Sequence, residues 1–183
     1  MSTGYQIVDQ FATYYITPTI VDWVDVFSRQ VYRDIVLESL KYCIEKKGLL
    51  VYGYVIMTNH AHIIVRSENG DLSGIIRDFK KYTAGKILAT VANEPESRRE
   101  WMLHRFSWNA STHTRNANYQ VWTHENHAVH VYSKDFFANK LKYTHNNPVR
   151  AGWVSYPEEY IYSSAKALLQ NLPGQIPLIQ WGF

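Results

Sequence analysis

A single cysteine, Cys43, stands among 183 residues, so no disulfide can close within the chain and a reducing compartment is the expected setting. No apolar run reaches the length that a bilayer-spanning helix needs. Met1 to Gln6 lacks a basic segment followed by an apolar stretch, which argues against a secretory signal. These absences lead to the expectation of a cytoplasmic protein with no membrane association. Repeats, low-complexity segments and Pro/Gly/Ser-rich linkers are missing too. The expectation is therefore one domain over 1–183, with 148–183 as a C-terminal extension packed on or beside the core. Charge is nearly balanced, with Lys+Arg 19 against Asp+Glu 16 and a net +3. That suits a polyanionic ligand without requiring one. Aromatic residues are plentiful, with 14 Tyr, 6 Trp and 7 Phe. Such rings can stack on unpaired bases, but they fill cores more often.

Periodicity divides the chain into elements. Ala12 to Thr17 is β-branched and aromatic and ends at Pro18, the pattern of a strand. From Ser28 to Lys47 apolar residues recur at Val31, Ile35, Val36, Leu40, Cys43 and Ile44. This predicts a helix with Ser28 as N-cap and Gly48 as stop. Leu49 to Met57 and His60 to Val65 read as antiparallel neighbours joined at Thr58-Asn59. Asp71 or Ser73 opens a second amphipathic helix through Ile75, Ile76, Phe79, Tyr82 and Ile87. Asn93 to Asn118 is polar and reads as a loop with some helix. Tyr119 to Trp122 and Val129 to Tyr132 read as short strands. Ser133 caps a last helix from Lys134 to about Asn147, and Pro148 is expected to end it. This order predicts an α+β fold: a ferredoxin-like split-βαβ sandwich, an antiparallel sheet with helices on one face.

His60-Ala61-His62 opens an apolar strand. Residues i and i+2 of a strand share a face, so the two imidazoles project together and can grip a divalent cation if oxygen donors complete the shell. Taken alone, such a triplet more often belongs to a core or a turn. His124, His127 and His130 recur every third residue, but the strand-like Val129 to Tyr132 breaks any helical face. Surface or sheet-edge positions suit them better.

On the last helix Phe136, Asn139, Lys140, Tyr143 and Asn147 fall along one side, while Phe137, Ala138 and Leu141 fall around the other. A tyrosine phenolate can attack phosphorus and form a covalent intermediate. A free phenol, with a pKa of about 10, needs cationic neighbours or a metal to do so at neutral pH. Lys140 and Lys142 are candidates for that help. Spacing and composition do not single out Tyr143 among the tyrosines.

Two segments, taken together, are similar to one family. Gly53-Tyr54-Val55-Ile56-Met57-Thr58-Asn59-His60-Ala61-His62-Ile63-Ile64-Val65 resembles the His-hydrophobic-His strand of the single-tyrosine HUH transposases, in particular the REP-associated tyrosine transposases and their insertion-sequence relatives. Tyr143-Thr144-His145-Asn146-Asn147-Pro148-Val149-Arg150-Ala151-Gly152-Trp153-Val154 resembles that family's catalytic-tyrosine helix and its exit. Pro157 to Tyr160 and Tyr162 to Ala165 extend the likeness. It runs from the first strand to about residue 167.

The resemblance implies His60 and His62 as metal ligands, Tyr143 as nucleophile and Asn147 as the polar residue that completes the site. Mg²⁺ or Mn²⁺ is the implied metal. Two departures stand out. Ala61 is small where the family has a bulkier residue, and Asn147 is a short neutral donor where other HUH enzymes use Gln, Glu or His. The implied activity is cleavage and rejoining of single-stranded or hairpin DNA through a 5′-phosphotyrosine. Arg77, Lys80, Lys81 and Lys86 are expected to follow the DNA backbone, with Lys140 and Lys142. A homodimer is compatible with the resemblance, because some relatives pair and exchange tyrosine helices while others act as monomers. Two rival classes remain: an inactive relative that binds structured nucleic acid, and a metal phosphoesterase that uses water.

Overall fold

Alternating faces along short strands set the layers. The structure, a computed structural model, describes residues 6–112 and 118–182. The Met1–Tyr5 part of the N-terminal segment, and residues 113–117 with His113, lie outside that range. Strands β1 (Tyr14–Ile16), β2 (Leu49–Ile56), β3 (Ala61–Ser67) and β4 (Val129–His130) form one sheet in the order β2-β3-β1-β4. All neighbours are antiparallel. Helix α1 (Gln30–Lys47) connects β1 to β2, and α2 (Leu72–Asn93) with α3 (Arg99–Ser111) lies between β3 and β4. This is the expected split-βαβ order.

Tyr14 and Ile16 of β1, Val51 and Tyr54 of β2, and Ala61, Ile63 and Val65 of β3 face one way. They join Val36 and Leu40 of α1 and Ile75, Phe79 and Ile87 of α2 in the main core. The intervening residues Tyr15, Tyr52 and Ile64 face the other way. They meet Phe136, Phe137 and Leu141 of α4 (Lys134–Arg150) in a second, smaller cluster. The one-face expectation therefore holds for α1 and α2, whereas α4 crosses the opposite face. Residues 61–65 of β3 are buried on both sides, Arg66 alone being exposed, and a strand buried twice shows little apolar–polar alternation.

The register of β2 on β3 slips between Val51 and Gly53. Such a bulge turns consecutive residues toward one side. At Gly53 a Cβ would collide with the Leu141 side chain, so the missing side chain lets α4 lie close on the sheet. Gly53→Ala is expected to lower stability by about 1–3 kcal/mol through overpacking, seen as a lower thermal midpoint. An unchanged midpoint would show that Leu141 swings aside freely.

Helix ends explain the remaining differences from the sequence reading. Gly48 stops α1 as expected, left-handed at φ 67°. Ser28 does not cap it, because the N-cap is Arg29 with no side-chain bond. Asp71 caps α2 by accepting from Gly74 N–H, and Ser133 caps α4 by accepting from Phe136 N–H. Pro148 does not end α4; it sits inside the last turn. There it has no N–H to give the carbonyl four residues back, that of Thr144. The stop is Gly152 at φ 74°, where Gly152 N–H reaches Val149 O and Trp153 N–H reaches Pro148 O. That pair of bonds is the Schellman ending.

Tyr119 to Trp122 is not a strand; only Trp122 makes an isolated bridge, to Ile20. Much of the stretch expected as loop is α3, which buries Met102, Phe106 and Ala110. The C-terminal part packs back: α5 (Ala165–Gln170) follows Ser164, whose hydroxyl accepts from Tyr54 N–H, and Ile179 N–H donates to Val51 O. No described helix is long and apolar enough to cross a membrane.

Candidate active site

His60 and His62 enter the α4 side of the sheet because they share the parity of Ile64. Their ring centroids are 4.7 Å apart. Tyr143 comes from mid-α4 and meets His62 at 5.5 Å between centroids. The three side chains that the sequence nominated from distant segments therefore converge. Tyr143 is 41% exposed, open to a macromolecular substrate, while His62 is buried.

Each imidazole is held through Nδ1. His60 Nδ1 lies 2.6 Å from Asn59 Oδ1, and an acceptor there requires the proton on Nδ1. His62 Nδ1 lies 2.6 Å from the Tyr15 hydroxyl and 3.0 Å from Thr17 Oγ1. No described residue hydrogen-bonds either Nε2. Orientation through one nitrogen with the other left as a lone pair is the usual arrangement of a metal-binding histidine. Burial lowers the His60 pKa. Burial, with the charges of His60 and Lys140 nearby, pushes His62 down to about 3. Both rings are neutral near pH 7, the form in which imidazole coordinates.

The donor set thus fits a divalent cation, though sparingly. Among the described residues no three His, Cys, Asp or Glu side chains cluster. Two nitrogens would leave the remaining positions to neutral oxygens, water and phosphate, the shell that Mg²⁺ and Mn²⁺ accept. Asn147 lies one turn beyond Tyr143 and spends its amide N–H₂ on Tyr143 O at 2.8 Å. Its Oδ1 is the atom left for a ligand, and no hydrogen bond joins it to either histidine.

Cations approach from α4. Lys140 Nζ stands 4.6 Å from the Tyr15 ring centroid, and the Arg150 guanidinium 5.2 Å from that of Tyr143. Lys142 is on the exposed side of the same helix. Arg77, Lys80, Lys81 and Lys86 belong to α2 and so stand across the sheet from Tyr143. Arg77 pairs with Asp78, and Lys86 lies 5.7 Å from the Tyr82 ring; Lys81 is exposed. Lys80 departs most from a backbone-tracking role. Its ammonium reaches Thr123 O at 2.8 Å, His124 O, Glu125 O and the Asn126 side chain. Burial pushes Lys80 down to about 8. It holds the 123–126 loop, whose Asn126 O accepts from Thr17 N–H.

Sequence reasoning missed Tyr15, Thr17, Arg150 and His145. Tyr15 and Thr17 share a face at i, i+2, but only the register Tyr15↔Ile64 and Ile16↔Ile63 brings Thr17 opposite His62. His145 is buried at 2.8 Å from Ser164 Oγ, which also contacts Tyr54 N and O at 2.8 and 3.2 Å. With the hydroxyl proton given to Tyr54 O, His145 Nε2 donates. This ties α4 to β2, and burial pushes His145 down to about 4.

These buried neutral histidines make the fold acid-labile. A free imidazole titrates near 6.5, well above the folded values of His62 and His145. Between those values the unfolded chain binds protons that the folded chain refuses, so stability is full above pH 6.5 and falls as pH drops below it. Two pH units below 6.5 the loss is roughly 2–3 kcal/mol per histidine. Denaturant midpoints at pH 7.5 and 4.5 check this, and equal midpoints would refute it.

Comparison with known proteins places the chain in a family and matches its fold. The family model described as "Transposase IS200 like" matches residues 19–143, most of the chain and ending on Tyr143. The chain belongs to the IS200-like transposase family. A solved structure of a REP-associated tyrosine transposase bound to a REP hairpin is similar in fold at a TM-score of 0.61. Its sequence identity is 14%, over 100% of this chain and 92% of that chain. No curated protein matches.

Proposed function

We propose that the chain cleaves and rejoins single-stranded or hairpin DNA by covalent attachment to Tyr143. The observation that carries this is the 5.5 Å approach of the Tyr143 ring to His62, with His60 beside it. The phenolic oxygen bonds to phosphorus as the P–O3′ bond breaks, giving a 5′-phosphotyrosine. The phenol's proton ends on the released 3′ oxygen, so the step balances without a co-reactant. Arg150, 5.2 Å from the Tyr143 ring centroid, and Lys140 on the same helix supply positive charge for the phosphate that Tyr143 would attack.

Mg²⁺ or Mn²⁺ on His60, His62 and Asn147 would polarise the scissile phosphate and offset charge in the transition state. Tyr15, Thr17 and Asn59 hold the two rings through Nδ1, and no described residue hydrogen-bonds either Nε2. The 3′-hydroxyl can later attack the phosphotyrosine, restoring the phenol and a phosphodiester. Membership of the transposase family supports DNA strand exchange, and the hairpin held by the structural neighbour supports a hairpin ligand.

The test is incubation with labelled hairpin oligonucleotides carrying single-stranded flanks, with Mn²⁺, read as a denaturation-resistant protein–DNA adduct. Cleaved DNA without adduct would favour attack by water. Binding without cleavage would favour an inactive relative.

A further inference from the structure

Beside the histidine pair stands a tryptophan that the chemistry above does not use. Trp23 is 68% exposed, and its ring centroid is 6.1 Å from that of His60. Among the described residues it is the exposed aromatic, apart from Tyr143, with a ring contact to either histidine. Its backbone is held at a cost. Asp22 and Trp23 are consecutive non-glycine residues in the left-handed region, at φ 52° and 55°. Side chains rarely adopt that conformation, and it persists only where surroundings impose it.

The surroundings here are specific. Asn109 Nδ2 of α3 donates to Asp22 Oδ2 at 2.8 Å, and Arg105 approaches the same carboxylate at 3.8 Å. From the other side Asn59 Nδ2 donates to Trp23 O at 3.3 Å, while Asn59 Oδ1 takes the His60 Nδ1–H. One amide thereby ties the tryptophan backbone to an imidazole of the site. Packing does not explain the ring: nothing in the core needs a side chain two-thirds in solvent. A flat apolar surface fixed in water next to a phosphate-cleaving centre suits an unpaired base, whose π-face any aromatic can take.

We propose that Trp23 is a stacking platform for an unpaired nucleobase flanking the scissile phosphate. It positions the strand at His60 and is not a catalytic residue. The inference rests on the nuclease reading of this site, yet it is tested on binding.

The probe is a fluorescent stem-loop DNA with oligothymidine flanks, compared with the same stem-loop carrying abasic flanks. In a Tyr143→Phe background, Trp23→Ala is expected to bind the base-bearing probe about tenfold more weakly, as loss of one stacked base implies. On the abasic probe the two proteins should agree within about twofold. Trp23→Phe should recover most of the affinity. Trp23→Gly removes the ring and relaxes the positive φ, so it should keep or raise thermal stability while losing the same affinity.

Unchanged affinity of Trp23→Ala for the base-bearing probe overturns the proposal, as does equal weakening on both probes. Failure of the unmutated chain to form an adduct, with the affinity pattern intact, would sink the covalent tyrosine reading and leave the stacking site standing. Failure to bind either probe overturns both.

Discussion

Tyr143→Phe is expected to reduce covalent capture of hairpin DNA by at least about a thousandfold while leaving binding of that DNA within about twofold. The substitution deletes one oxygen. The ring keeps its edge-on approach to His62, its contact with Tyr15 at 6.5 Å and the Arg150 guanidinium over its face. Because Tyr143 is 41% exposed, no buried hydroxyl partner is orphaned, and stability should move by less than about 0.5 kcal/mol. An unchanged melting curve with a lost adduct would therefore report chemistry, not folding. The nearest phenol to take over is Tyr15, which already hydrogen-bonds His62. Burial raises its pKa, so it makes a poor substitute nucleophile. Undiminished capture by the variant would end the assignment, and DNA cleavage surviving without adduct would transfer the reaction to water.

Apart from the expected Ser28 cap, which α1 does not use, local signals are legible where one element determines them. Gly48 stops α1 because a left-handed residue closes a helix wherever it occurs, and Asp71 and Ser133 cap by reaching their own third residue. The His60/His62 parity follows from strand geometry alone. What was not legible depends on how elements meet. Pro148 reads as a terminator by rule, but the Gly152 ending overrides it. The position of α4 on the second face is encoded by Gly53 and Leu141 acting together, and neither suggests it alone. Lys80 resembles its neighbours Arg77 and Lys81 in sequence, yet the loop at 123–126 surrounds its ammonium. Tyr15 and Thr17 look like ordinary strand residues until the β1–β3 register sets them against His62. Convergence of the histidines with Tyr143 was expected from resemblance, and no periodicity could have supplied it.

His62→Ala is expected to weaken Mn²⁺ binding by more than about a hundredfold, measured by calorimetry or by the manganese electron-spin signal on apoprotein without DNA. The scale follows from the neighbours. Removing a group that merely orients a metal-bound histidine typically costs 10–100-fold in affinity. Losing the nitrogen itself should exceed that, and Tyr15→Phe or Thr17→Ala should fall within it. Each hydroxyl backs up the other on the same Nδ1, at 2.6 and 3.0 Å, so the double variant should cost more than either single one. Folding provides an independent readout. His62→Ala leaves the buried Tyr15 hydroxyl without its shortest partner, at a cost of about 1–3 kcal/mol near neutral pH. The same variant removes one histidine that must charge on unfolding, so its stability should fall less steeply between pH 6.5 and 4.5. A variant with unchanged Mn²⁺ affinity would remove the cation from this histidine pair, even if the flatter pH profile were seen. The two measurements separate a structural histidine from a ligand: acid lability follows from burial alone, whereas metal affinity requires an Nε2 lone pair free to coordinate.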